Sequence, residues 1–167
     1  KKLIVLVASV FMLQACDDGD ITLESFNFDT ATIQNCTDNN LVFKINDKEL
    51  LLLSIPESSF LNEETPDGSP RIINVGTTNQ IIYRLYSGNV SSATICSTLP
   101  PASAVVEKEW NASGGTIEII TDALYDVDGI TINGYTHNIK FKNVNFSNPD
   151  NSFSFTEYIF GNYETDL

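Results

Sequence analysis

The sequence predicts an all-β fold, and three observations carry that prediction. From Ile21 onward the apolar residues recur with period 2, not 3.6. The alternating runs are short and are separated by turn-forming clusters such as Thr37-Asp38-Asn39-Asn40 and Ser87-Gly88-Asn89. No stretch keeps helical periodicity over three turns. About ten short strands in one domain indicate an antiparallel β-sandwich, immunoglobulin-like or jelly-roll-like, with a half-open barrel as the alternative.

Taken in order, Ile21 and Leu23, then Phe26 and Phe28, point inward, with a phase slip near Ser25 that suggests a bulge. A short run from Ile33 ends at Cys36. Leu41, Phe43 and Ile45 alternate, Asn46-Asp47 turns the chain, and the apolar run 50–55 returns as a strand buried on both faces. Residues 57–70, with Pro66-Asp67-Gly68 and Pro70, form an exposed loop. Residues 71–75 and 80–86 are two strands with Gly76-Thr77-Thr78-Asn79 between them, and 94–96 is a short strand that brings Cys96 against the Cys36 strand. Pro100-Pro101 forces an extended connector.

In the second half, Val106, Lys108 and Trp110 share one strand face. Gly114-Gly115 turns the chain as a hairpin into 116–121, and Asn133-Gly134 turns it again between 130–132 and 135–146. Ile139 and Phe141 are in phase while Val144 and Phe146 are one residue out, so a bulge is expected at Lys142-Asn143. A last strand carries Phe153, Phe155, Tyr158 and Phe160.

The 167 residues suffice for one domain, and 42% hydrophobic residues can bury a real core. The net charge of -13 argues against binding nucleic acid or an anionic lipid surface by charge.

Lys1-Lys2 followed by an apolar run to Leu13 has the form of a signal peptide. An apolar run of about 11 residues spans roughly 16 Å as a helix, short of the ~30 Å hydrocarbon layer, so a cleaved segment is expected and not a permanent span. Leu13-Gln14-Ala15-Cys16 resembles the lipobox of bacterial lipoproteins. The resemblance implies cleavage after residue 15 and acylation of Cys16 with palmitate-type chains, enough for stable anchoring in the lipid bilayer. It divides the chain into a signal peptide 1–15, a lipidated cysteine with an acidic tether 16–20, and a domain 21–167. Asp17-Asp18-Gly19-Asp20 resembles the surface-export signal of Bacteroidota-type lipoproteins, which implies the outer membrane and its outer face more than the periplasmic one. Asp29-Thr30-Ala31 resembles the O-glycosylation signal of exported proteins of that group, marking Thr30. The whole is similar to the small all-β lipoproteins of that phylum.

With Cys16 in the anchor, Cys36 and Cys96 remain as an even pair, either a disulfide or two buried thiols. Enzyme signals are thin. His137, the one histidine, sits mid-strand and reads as structural or surface, and no serine lies in a nucleophile-elbow pattern. Asp122, Asp126 and Asp128 before Gly129 could supply oxygen ligands to calcium, although ordinary turn chemistry explains the pattern equally well. Trp110, Tyr83, Tyr86 and Tyr163 are candidate sugar-stacking aromatics, with Trp110 as core the competing reading. The sequence therefore points to a non-enzymatic binding or envelope-associated module with a glycan or envelope-protein partner. A glycan- or calcium-binding adhesin-like module is its sharper form, and a carbohydrate-active enzyme using paired carboxylates is the alternative.

Overall fold

A computed structural model describes residues 26–99 and 104–167. The fold is all-β and antiparallel, as expected. Nine strands are present among the described residues: β1 (Ile33–Asn35), β2 (Leu41–Asn46), β3 (Glu49–Ser54), β4 (Arg71–Asn74), β5 (Gln80–Tyr86), β6 (Val106–Ala112), β7 (Thr116–Tyr125), β8 (Ile132–Ser147) and β9 (Ser152–Asp166). They form one hydrogen-bonded sheet, curled so far that β1 approaches β9 without pairing to it. A half-open barrel describes this more closely than the two layers of an immunoglobulin-like or jelly-roll-like sandwich.

The curl has an identifiable cause. Ala112 pairs with Phe146 and Thr116 with Lys142, while the Ser113 N–H donates to the Asn145 carbonyl at 2.8 Å. Register along β8 is thus unbroken from β6 into β7: the two are halves of one strand, and Gly114-Gly115 is a corner within it. The hairpin expected there does not exist. Gly115 has φ 91°, and a Cβ on it would lie 2.5 Å from the Lys142 carbonyl oxygen. On the other side of this bent strand, β5 pairs with β6 and β4 with β7, so 76–79 is a looped-out break between two collinear strands. With each bent pair counted as one, spatial order follows chain order, an up-and-down meander turned through a corner.

Opposite the corner, Asn143 takes φ 52° between buried Phe141 and Val144, so the inward face changes phase there as expected. The pairing with β9 stays in register from Lys142 to Val144, however, and the bulge expected at Lys142-Asn143 is not present; the register of β8 against β9 shifts at Ile139/Lys140 instead. Asn133-Gly134 is not a turn. Both residues lie inside β8, where Gly134 pairs with Leu124 and Asp166, and the Thr165 carbonyl oxygen passes 2.7 Å from where its Cβ would be. The turn between β7 and β8 is 126–131 instead. There Asp128 Oδ1 accepts from the Ile130 and Thr131 N–H groups at 2.9 and 2.8 Å. Both sites need a glycine for backbone approach or turning, so dipeptide chemistry alone does not separate them.

The inside of the curl holds the main core, from Phe28, Leu51, Leu53, Tyr83, Trp110, Ile117, Ile139, Phe141, Phe146 and Phe160. Phe26 and Phe28 enter it from an irregular segment and not from a strand, with Phe26 ringed by Tyr83, Phe146, Phe153, Phe155 and Tyr158. Ile21, Leu23 and the slip near Ser25 lie outside the described residues. The β3 run is buried on both faces as expected: Leu51 and Leu53 face the main core, while Leu50 and Leu52 join a second cluster with Phe43, Ile82, Tyr86 and Cys36.

That second cluster is roofed by the segment after β5. Its 94–96 stretch is no strand but the end of a one-turn helix, α1 (Ser92–Cys96), which Ser91 and Thr94 open as a capping box. The helix turns Val90, Ile95 and Cys96 onto the outer face of β2, β3 and β5, and a Cys36–Cys96 disulfide staples it there with 5.4 Å between Cα atoms.

Candidate ligand-binding cleft

The disulfide half-cystine Cys36 directly follows β1, and the polar turn 37–40 after it folds back on itself. The Cys36 N–H donates to the Leu41 carbonyl at 3.1 Å, and the Leu41 N–H to Asn39 Oδ1 at 3.2 Å. This turn forms one wall of a cleft of about 140 Å³. The opposite wall is Glu57, at the start of a 3₁₀ turn (Glu57–Ser59), with Phe60 beyond it and Tyr163 from β9. Phe60 and Tyr163 meet edge to face with ring centroids 4.9 Å apart. Burial, and then the nearby Glu57 carboxylate, push the Tyr163 hydroxyl pKa up.

Behind the aromatic wall lies a buried polar chain. His137 is fully buried, with Nδ1 2.8 Å from Thr121 Oγ1 and Nε2 3.0 Å from Thr165 Oγ1. Arg71 donates to Thr121 Oγ1 at 2.6 Å and to the Glu63 carbonyl, and the Thr165 hydroxyl donates to Asn62 Oδ1 at 2.8 Å. The Thr121 N–H donates to Thr65 Oγ1 at 3.1 Å. The loop 57–70 is therefore exposed, as expected, but pinned to β7 and β9 through this chain. Burial, and secondarily the positive charge of Arg71, lower the His137 pKa to about 4. The histidine is structural.

The other sequence-singled residues disperse. Trp110, Tyr83 and Tyr86 are core, with the Trp110 indole N–H donating to Asn151 Oδ1 at 2.7 Å; of the four candidate aromatics Tyr163 alone lines the cleft. Asp122 lies within β7, while Asp126 and Asp128 lie in the turn after it. Asp126 Oδ1 accepts its neighbour's N–H at 2.7 Å, and Asp128 Oδ2 accepts from the Thr131 hydroxyl at 2.6 Å. Those turn hydrogen bonds, the Thr131 hydroxyl foremost, hold the Asp128 carboxyl down to about 2. Among the described residues no three His, Cys, Asp or Glu side chains gather as a cation site. Thr30 is exposed on the turn closed by the Ala31 N–H to the Phe28 carbonyl. Cys16 and the acidic tether lie outside the described residues.

Sequence reasoning missed Asn35, Thr37, Asn40, Glu57 and Phe60 as neighbours of Tyr163. Nothing local marks them, because the cleft is made by β9 returning beside β1 from the far end of the chain. Among the described residues no helix is long and apolar enough to cross a membrane. Compared with known proteins, the chain matches no family model, no curated protein and no solved structure.

Proposed function

We propose that this chain is a lipid-anchored outer-membrane lipoprotein, cleaved before Cys16 and exposed on the cell surface, whose domain acts as a non-enzymatic binding module. The observation that carries the reading is the Leu13-Gln14-Ala15-Cys16 junction between an apolar run too short to span and an acidic, soluble-type sequence. Attachment by charge is disfavoured for so acidic a chain, so acyl chains are the physical means of holding it at a bilayer.

Two features of the fold support binding as the role. Phe26, nearest the tether, packs at the end of β8 and β9 that carries Phe146 and Phe153, whereas the cleft lies toward the other end of β9 at Tyr163. An anchor at Cys16 leaves that end free to face outward. The cleft's lining includes one carboxylate, Glu57, where hydrolysis by paired carboxylates needs two about 5–9 Å apart.

The test is metabolic labelling of the full chain with an alkyne palmitate in a bacterial host, with whole-cell protease accessibility alongside. The native chain is expected to take up label and shift to the processed size, and Cys16→Ser to do neither. A Cys16→Ser chain labelled and processed like the native one would overturn the reading.

A further inference from the structure

We propose that the cleft between the 37–40 turn and the Phe60–Tyr163 pair is a subsite for a single neutral sugar ring, an inference that rests on the binding-module reading above. The side chains it offers are the amides of Asn35 and Asn40, the hydroxyls of Thr37 and Tyr163, and the carboxylate of Glu57. None of these five groups has a hydrogen-bond partner among the described residues.

Their chemistry selects the ligand class. Amides and hydroxyls both donate and accept, which matches sugar hydroxyls, groups that do the same. An anion would meet no cationic side chain in this lining and would be repelled by Glu57; a metal ion would find one carboxylate where it needs several oxygens. The partly buried rings of Phe60 and Tyr163 supply the apolar surface on which the C–H face of a sugar ring rests. A volume of about 140 Å³ is below the roughly 300–1,000 Å³ of sites for drug-sized molecules and suits one ring.

Both walls are held before any ligand arrives. The Cys36–Cys96 disulfide and the β1–β2 ladder fix one, and the chain from His137 through Thr165 to Asn62 supports the other. Such preorganisation lowers the ordering cost of binding. One ring with a few hydrogen bonds corresponds to a Kd of about 1–10 mM, which many anchored copies on one surface would raise to useful avidity.

The experiment titrates the full-length protein in detergent micelles with the methyl glycosides of glucose, galactose, mannose and N-acetylglucosamine. Backbone and side-chain amide NMR shifts provide the readout. At least one glycoside is expected to give saturable shifts confined to residues 35–42, 57–60 and 163. Asn40→Ala and Glu57→Gln should each weaken them by about tenfold at unchanged melting temperature. The proposal is overturned by no saturable shift up to about 50 mM, by saturable shifts that map to another surface such as the 126–131 turn, or by binding indifferent to both variants. A chain acylated at Cys16 that binds none of the glycosides loses the subsite and keeps the anchored-module reading. A chain that binds a glycoside and is not acylated does the reverse.

Discussion

Thr121 Oγ1 lies 2.8 Å from His137 Nδ1, and the donors on either side dictate which way that hydrogen bond runs. Arg71 can only donate, so Thr121 accepts from it on one lone pair, and because burial and the Arg71 charge keep the imidazole neutral, the Thr121 hydroxyl hydrogen goes to Nδ1. On the far side Thr165 donates to Asn62 and so accepts from Nε2–H. The neutral imidazole is thereby fixed as the Nε2–H tautomer in a one-way chain from Arg71 to Asn62.

A pH dependence follows. The folded His137 pKa is lowered from 6.5 to about 4, so between those values the unfolded chain binds the proton and the fold does not. The histidine's contribution is complete above about pH 6.5, declines as pH falls toward 4, and is lost below it, about 3 kcal/mol in all. His137 is the one histidine, so a single pair of imidazole NMR signals should titrate near pH 4 in the folded chain. Urea melts of the native chain should steepen in pH dependence between 4 and 6.5 relative to His137→Gln. A titration near 6.5 would contradict the chain as drawn.

Thr121→Val keeps the shape of the side chain and removes the central hydroxyl, leaving Nδ1 and one Arg71 N–H unpartnered. The expected loss is about 2–3 kcal/mol by urea denaturation. In a double-mutant cycle with His137→Gln the losses should fall short of additive, since both remove the same contact.

The two glycines of the corner should behave oppositely. Gly115→Ala combines a positive φ with backbone oxygens at 2.5 and 2.6 Å, and should cost about 2–4 kcal/mol. Gly114 has nothing within 4 Å of a Cβ position, so Gly114→Ala should stay within about 0.5 kcal/mol of the native chain. Were 114–115 a hairpin tip in solvent, neither substitution would meet a backbone wall.

The Cys36–Cys96 bridge closes a separation of 60 residues, worth about 4 kcal/mol in the chain-entropy model. Cys36→Ser with Cys96→Ser should lower stability by up to that amount. Hydrogen exchange should quicken first at 90–96, which the bridge holds against Phe43 and Leu52.

Calcium at about 5 mM should leave the melting temperature unchanged, because Asp128 spends both oxygens on its own turn and Asp126 one of its oxygens on Val127. A calcium-dependent rise would show that the turn reopens around the ion.

How far the fold was legible varies by feature, for physical reasons. The phase change at Asn143 was readable because a buried face must stay in phase, and Phe141 to Val144 breaks phase by one residue; its form, a positive φ with the register intact where a bulge was expected, was not. The two-sided burial of 50–53 and the turn before it were readable from the unbroken apolar run. Gly114-Gly115 and Asn133-Gly134 were misread because a glycine serves a hairpin, a corner and a close strand crossing alike. The 94–96 stretch was too short for period to separate a strand from a helical turn. The cleft was illegible because Asn40, Glu57 and Tyr163 are brought together by the curl alone.

By itself, the sequence determined the antiparallel all-β class, and it narrowed Cys36 with Cys96 to a disulfide or two thiols, His137 to a structural or surface role and Trp110 to core or sugar stacking. Those properties follow from period, composition and burial tendency, which are local. Tertiary structure alone decided that β6 and β7 are one strand turned through a corner, that the sheet curls until β9 stands beside β1, and that a polar cleft forms where they meet. Such features depend on register between strands distant in the chain, and register is a property of the partner strand as much as of the residues that bear it.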